Sequence, residues 1–300
     1  MIIDVHCHVW NKKIVANEVE KLLFEIAEFA LHEGFDPATI HDAEGDRLIK
    51  DMDEAGIDKT VVFSLDFDLT FKGGVNYREY NDYVANFVKQ YPDRLIGFAG
   101  IDLRRGREAI DELERCVQDH GFKGVKLWPL TGFYPDDPKF YPFYERAEDL
   151  GVTILCHTGI GPAYMKYCRP VYIDTVAYDF RKINFIMAHG GDPWSNEALA
   201  VAGKNPNVYF DISASQLIFK KFPMGLYQTL AMTKIIIGLE NVLFGTDWPS
   251  TLPIMSPKEW VEAIQTLELP MPLQMMGLPE FTEEDKKKIL GENAKKVLGL

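Results

Sequence analysis

Short apolar runs recur along the chain, and the gaps between them are long enough to hold a helix each. The runs are rich in β-branched and aromatic residues and are bounded by Gly, Asn or Pro, which predicts buried strands. Eight stand out: Ile2 to His8, Lys59 to Leu65, Leu95 to Ile101, Gly124 to Trp128, Val152 to His157, Asn184 to His189, Val208 to Ile212 and Val242 to Asp247. Amphipathic stretches lie between them, at Tyr80–Gln90, Arg107–His120, Tyr141–Leu150, Asn196–Lys204 and Pro257–Leu267. Eight strands alternating with helices over about 250 residues predict a (β/α)8 barrel of the TIM type. The rival is an open doubly wound sheet, which brings a glycine-rich phosphate loop after its first strand. Here that position reads His8-Val9-Trp10-Asn11.

Two segments exceed the repeat. The insertion from about residue 10 to residue 56 is too long for a simple link between strand and helix, and it carries one strong helical pattern, Glu18 to His32. It is expected to fold over the barrel mouth. The last segment, 282–300, opens with Thr282-Glu283-Glu284-Asp285, an N-cap with acidic first-turn residues, and predicts a closing helix. With no linker, no low-complexity tract and no repeat beyond the βα unit, residues 1–300 read as one domain.

Composition narrows the partners. With 32 basic against 45 acidic residues, a formal net of -13, a nucleic-acid partner is disfavoured. An anionic small substrate stays compatible, because one local Lys or Arg overcomes a global field. The apolar runs fall short of the ~20 residues that cross a bilayer. The amino end shows no basic leader and no apolar run before a small-residue cleavage site. Cys7, Cys116, Cys156 and Cys168 have no CxxC spacing. The expectation is a reduced protein of the cytoplasm.

Candidate chemistry begins at the first strand, Asp4-Val5-His6-Cys7-His8. Strict alternation places Asp4, His6 and His8 on one face and Val5, Cys7 and Val9 on the other. Two imidazoles aimed the same way from a rigid strand can grip one divalent metal; two core histidines satisfied by hydrogen bonds are the plain alternative. The other strand ends favour the metal. His157 ends the fifth predicted strand, His189 the sixth and Asp247 the eighth, each before a loop signal. Side chains at the carboxyl ends of barrel strands converge on one site. Three imidazoles and one carboxylate suit zinc or another divalent transition metal with a position left for water. Such a metal lowers the pKa of that water toward neutrality, and Asp247 or His189 then moves protons.

The Asp-x-His-x-His start, the strand-end histidines in ILCHTG and IMAHGG, and FGTDWP on the eighth strand together resemble the amidohydrolase superfamily. They are most similar to the amidohydrolase-related branch that includes aminocarboxymuconate-semialdehyde decarboxylase, and the similarity runs from Ile3 to the closing ILGENAKKVLGL. The resemblance implies one catalytic metal held by His6, His8, His157 and Asp247. It also implies that His189 acts as a catalytic base or water-positioning group. Relatives of this kind are often dimers, so a homodimer is a further expectation.

Lys126, on the fourth strand, has two readings. Two-metal members of the superfamily carry a carboxylated lysine there as a bridging carbamate, which implies a second metal. Otherwise Lys126 binds a substrate carboxylate or pairs with a local acid. Arg169 is a second candidate for a carboxylate, with a surface arginine as the alternative. Trp10, Trp128 and Trp248 line an aromatic pocket or pack. Asp211 is a partner behind the metal ligands or a cap for its loop. His32, His41 and His120 read as surface or structural.

Two functions share this ligand set. The first expectation is a hydrolase, with metal-bound water attacking an amide, ester or lactone carbonyl. The alternative is a non-oxidative decarboxylase, a carboxy-lyase acting on an unsaturated or aromatic acid and needing a cation such as Lys126 or Arg169. A barrel nuclease is disfavoured, because it calls for a bridging glutamate where Lys126 stands and the chain is acidic overall.

Overall fold

The computed structural model describes residues 1–11, 13–15, 18, 21, 40, 43–72 and 74–300. All eight expected strands form and pair in chain order into one parallel sheet. They are β1 (Ile3–His8), β2 (Lys59–Phe63), β3 (Leu95–Gly100), β4 (Gly124–Leu127), β5 (Thr153–Cys156), β6 (Phe185–Met187), β7 (Val208–Asp211) and β8 (Val242–Leu243). Every strand residue except Lys59 is buried, as a parallel sheet covered on both faces requires. β8 is only two residues long, so closure falls to the residues after it. Val5 N donates to Phe244 O (3.0 Å), Asp247 N to His6 O (2.9 Å) and His8 N to Trp248 O (2.7 Å). These bonds close the sheet into a (β/α)8 barrel.

The helices are α1 (Gly45–Ala55), α2 (Tyr77–Gln90), α3 (Arg107–His120), α4 (Tyr141–Leu150), α5 (Val171–Asp179), α6 (Ser195–Lys204), α7 (Gln216–Lys221), α8 (Pro223–Ile237), α9 (Pro257–Gln265), α10 (Met271–Met275), α11 (Glu283–Lys287) and α12 (Asn293–Leu298). The α3 and α4 ends show how sequence stops a helix before the next strand. Gly121 and Gly151 take left-handed backbone (φ 70 and 65), and each donates its N–H back to the last turn.

Three expectations change. Periodicity did not point to α8, because PMGLYQTLAMTKIII is apolar on nearly every side and has no 3.6-residue stripe. The closing helix forms but is irregular: its Thr282 cap is present, and a π-helical turn at Lys288–Glu292 lies between α11 and α12. At that turn the Ile289 carbonyl accepts from Phe244 N (3.0 Å), tying the chain's last turns to the strand that closes the barrel. Third, β1 does not alternate strictly. Its register against β2 slips between Asp4 and Cys7, so a bulge separates Asp4 from His6 and His8. The Asp4 carboxylate instead accepts from Cys7 Sγ (3.0 Å), Thr246 Oγ1 (2.6 Å) and Thr246 N (3.0 Å). Cys7 accordingly points away from the histidines. The helical pattern Glu18 to His32, with His32 and His41, lies outside the described residues apart from Glu18 and Lys21. No described helix is long and apolar enough to cross a membrane.

Close approach between β2 and β3 needs Gly100. Its N–H lies 2.8 Å from Ser64 Oγ and 3.0 Å from Asn81 Oδ1, and a Cβ placed there would sit 2.5 Å from the Ser64 carbonyl oxygen. Gly100→Ala is expected to destabilise the fold by about 1–3 kcal/mol through overpacking. Equilibrium urea unfolding measures this, and an unchanged midpoint would show that the two strands relax at no cost.

Candidate metal centre

The barrel mouth collects side chains from four strand ends. His6 and His8 come from β1, and His157 is the first residue past β5. His189 lies two residues past β6, and Asp247 four past β8. The last two lie farther from their strands than expected because the strands are shorter. Both hold left-handed backbone, His189 at φ 60 and Asp247 at φ 58, as does Ala214 (φ 60) in the loop after β7. Non-glycine residues seldom occupy this region, and they cluster at functional sites.

His6, His8 and Asp247 bring donor atoms together. Asp247 Oδ1 lies 3.1 Å from His8 Nε2 and 3.4 Å from His6 Nε2. Ligands held about 2.0–2.1 Å from a tetrahedral zinc sit roughly 3.3 Å apart, so the spacing fits a single small cation. Burial pushes the pKa of every imidazole down, His6 to about 3, with lesser contributions from Lys126. The rings are therefore neutral and able to coordinate. Asp247 is ionised: hydrogen bonding to His8 and the neighbouring imidazoles outweigh its burial and bring its pKa to about 2.

His157 stands slightly apart. Its Nδ1 is 3.2 Å from His189 Nε2, while its Nε2 is buried with no hydrogen-bond partner among the described residues. His8 Nδ1 is likewise buried and without a partner. Buried imidazole nitrogens left bare in this way are what a bound cation or substrate satisfies.

Behind the donors, Asp211 sets the hydrogen-bond polarity. Its Oδ2 accepts from His6 Nδ1 (2.9 Å), and its Oδ1 accepts from His189 N (3.0 Å), Ser213 N (3.0 Å) and Ser213 Oγ. Its own pKa is lowered by His6, despite full burial. It thus does both things foreseen for it, orienting a ligand and tying down its loop. With its proton given to Asp211, Ser213 Oγ can only accept from His189 Nδ1 (2.8 Å), so His189 carries its proton on Nδ1 and bares Nε2. His6, with Nδ1–H on Asp211, bares Nε2 toward Asp247 and Lys126. A second convergence of donors, His6, His189 and Asp211, is already bridged by this hydroxyl. Ser213 escaped the sequence reading. Its signal is the two-residue step from Asp211 at the end of a strand.

Lys126 is 1% exposed. Its Nζ lies 3.1 Å from His6 Nε2 and 4.6 Å from the centre of the Phe63 ring, with no carboxylate within 4 Å among the described residues. Burial lowers its pKa to about 8, which leaves it mainly an ammonium at neutral pH. Above these groups opens a cavity of about 250 Å³ that Trp10, Trp128, Lys126, His157, His189 and Asp247 help to line.

Other candidates fall elsewhere. Arg169 does not line this cavity; its guanidinium pairs with Glu197 and lies 5.7 Å from the Trp194 ring. Trp248 is fully buried and donates from Nε1 to Asp51 (2.8 Å), so it packs beneath the mouth. His120 is structural, 2.9 Å from Asp82 Oδ1.

A family model described as Amidohydrolase matches residues 3–300. The 2-amino-3-carboxymuconate-6-semialdehyde decarboxylase of Dictyostelium discoideum is 25% identical over 249 residues, covering 73% of this chain and 65% of its own length. The gamma-resorcylate decarboxylase of Polaromonas sp. strain JS666 is 25% identical over 320 residues, covering 85% and 87%. Among solved structures, a dihydroxybenzoic acid decarboxylase from the same Polaromonas strain, with manganese and the inhibitor 2-nitroresorcinol bound, superposes with a TM-score of 0.69. It is 20% identical and covers 100% of this chain and 97% of that one.

If Asp211 orients His6, Asp211→Asn should weaken metal affinity by roughly 10–100-fold while the barrel stays folded. Competition with a metallochromic chelator measures it. Affinity equal to the parent's would reduce Asp211 to a loop tie.

Proposed function

The chain belongs to the amidohydrolase family, in the branch that holds aminocarboxymuconate-semialdehyde decarboxylase, and on that footing we propose that it is a metal-dependent, non-oxidative decarboxylase of an unsaturated or aromatic carboxylic acid. One divalent metal per chain, held by His6, His8, His157 and Asp247, completes the site, with manganese as good a candidate as zinc given the manganese in a related structure. When bound, it supplies positive charge that polarises the substrate and holds its oxygen atoms.

The observation that carries this reading is Lys126. A buried ammonium with no carboxylate within 4 Å among the described residues, supported only at a distance by the charges of Asp211 and Asp247, favours a further anion beside it. A substrate carboxylate supplies one, whereas a neutral amide, ester or lactone does not. The hydrolase expectation is therefore the weaker of the two, and the relatives named above lean the same way. The carbamate role for Lys126 is the second reading: it calls for a second metal, and the one further convergence of donors among the described residues, His6, His189 and Asp211, is bridged by the Ser213 hydroxyl.

The residues divide the work. Lys126 binds and orients the acid, and the indoles of Trp10 and Trp128 flank its unsaturated body and exclude water. His189 carries the proton. Its pKa is depressed by burial, so its imidazolium is a strong enough acid to protonate the carbon bearing the carboxylate, while Asp247 and Asp211 stabilise that imidazolium as it forms. With a C–H bond made, the C–C bond to the carboxylate breaks. Its electron pair restores the double bond or ring, and CO2 leaves. One proton is consumed per turnover, and Ser213 holds the ring of His189 in place throughout.

Metal removal with a chelator should abolish CO2 release, and added manganese or zinc should restore it; full activity of metal-free protein would sink the mechanism. His157→Ala and Asp247→Ala should lose metal and turnover together. His189→Ala should keep its metal and lose turnover by ~10²-fold or more. Metal analysis beside CO2 detection checks all three, and equal metal loss in His189→Ala would make that residue a ligand instead.

A further inference from the structure

We propose that the site selects an aromatic acid bearing a single carboxylate and rejects acids with a second one. The inference rests on the decarboxylase reading above and concerns which acids it takes. Charge at the site is concentrated at one end. Lys126 lies within β4, beside the metal donors at the level of the strands, and it is the one Lys or Arg among the described residues that line the cavity. The walls beyond the strand ends are mainly apolar: Ile160 and Ile254 from the loops after β5 and β8, and Leu217 and Ile218 from α7, line the same space. A second carboxylate directed at these walls would shed its water and meet no cation among the described residues that line them, nearby Lys220 being held on the Ile254 carbonyl (2.6 Å), and this costs several kcal/mol in small-molecule terms.

The arginines that follow the strand ends offer no rescue. Arg104 is committed to Asp102 through Nε (2.9 Å) and a terminal nitrogen (2.6 Å), and Arg105 grips Asp66 through two nitrogens at 2.7 Å. Arg169 is committed to Glu197. Each is already bound to a carboxylate of the chain itself. Asp192 also lines the cavity and brings no cation to it. Residues 12–42 hold seven carboxylates against three lysines, Lys12, Lys13 and Lys21, and so are acidic in balance. What remains is one cationic end at Lys126 and the metal donors, flanking indoles and a greasy far wall, which match one ring with one acid group.

A matched pair of ligands tests this: 2-hydroxybenzoate and 4-hydroxyisophthalate, the same ring with one further carboxylate. Calorimetric titration of the manganese-loaded protein should show the diacid binding roughly 100-fold more weakly or worse. Ile254→Arg, which sets a cation in the far wall, should close most of that gap; Leu217→Lys is the second placement if the first variant does not fold. Diacid binding as tight as monoacid binding in the parent overturns the proposal. So does a gap that neither variant narrows, or failure of both acids to bind. CO2 release is scored separately. A protein that decarboxylates diacids refutes this selectivity and leaves the decarboxylase reading standing. Preference for the monoacid with no CO2 released from any acid does the reverse.

Discussion

Closure of the barrel and assembly of the site are one set of backbone hydrogen bonds. β8 ends after Leu243, and the sheet is completed by the irregular segment Phe244–Trp248 lying along β1. The bond from Asp247 N to His6 O and the bond from His8 N to Trp248 O lock that segment in register. The same two bonds put the Asp247 carboxylate against both imidazoles. A slip between these segments would therefore open the barrel and scatter the ligands at once. Asp4 reinforces the seam from behind, accepting hydrogen bonds from Thr246 across the closure, which gives the bulge in β1 a purpose. It turns one carboxylate to the seam while His6 and His8 face Asp247 at the mouth.

The electrostatics follow from the burial this imposes. Four imidazoles, one ammonium and two carboxylates share a space from which water is largely excluded. Neutral rings relieve most of the cost, and Asp211 spends its charge on fixing the tautomer of His6 and the pose of Ser213. Lys126 draws on the charges of Asp211 and Asp247 without touching either carboxylate, which leaves it the least satisfied of these groups.

Much of this could be read from residue order alone. Eight apolar runs with helical spacers specify a barrel because parallel strands, buried on both sides, need no alternation to be recognised. Histidines and an aspartate at strand ends specify a site because the barrel aims strand ends at one point. The parts that escaped share a cause, namely dependence on contacts between distant segments. Strict alternation could not foresee that Asp4 would turn toward Thr246. α8 is greasy all round, so no face announced it. Arg169 looked available until Glu197, on another helix, was seen beside it. Ser213 has meaning only once Asp211 and His189 lie on either side.

The left-handed backbone at His189 and Asp247 has a consequence for how this face can change over time. Among residues with a side chain, Asn, Asp and His tolerate that conformation best, and the two positions hold a histidine and an aspartate. Local geometry and chemistry thus favour the same short alphabet. A mutation seeking a new reaction at either point meets a conformational filter before a functional one, and β-branched or bulky replacements fail it regardless of what they offer a substrate. Novelty on this face comes more readily from the apolar walls, whose backbone imposes no such filter, which leaves the polar floor as the slowly varying part of the molecule.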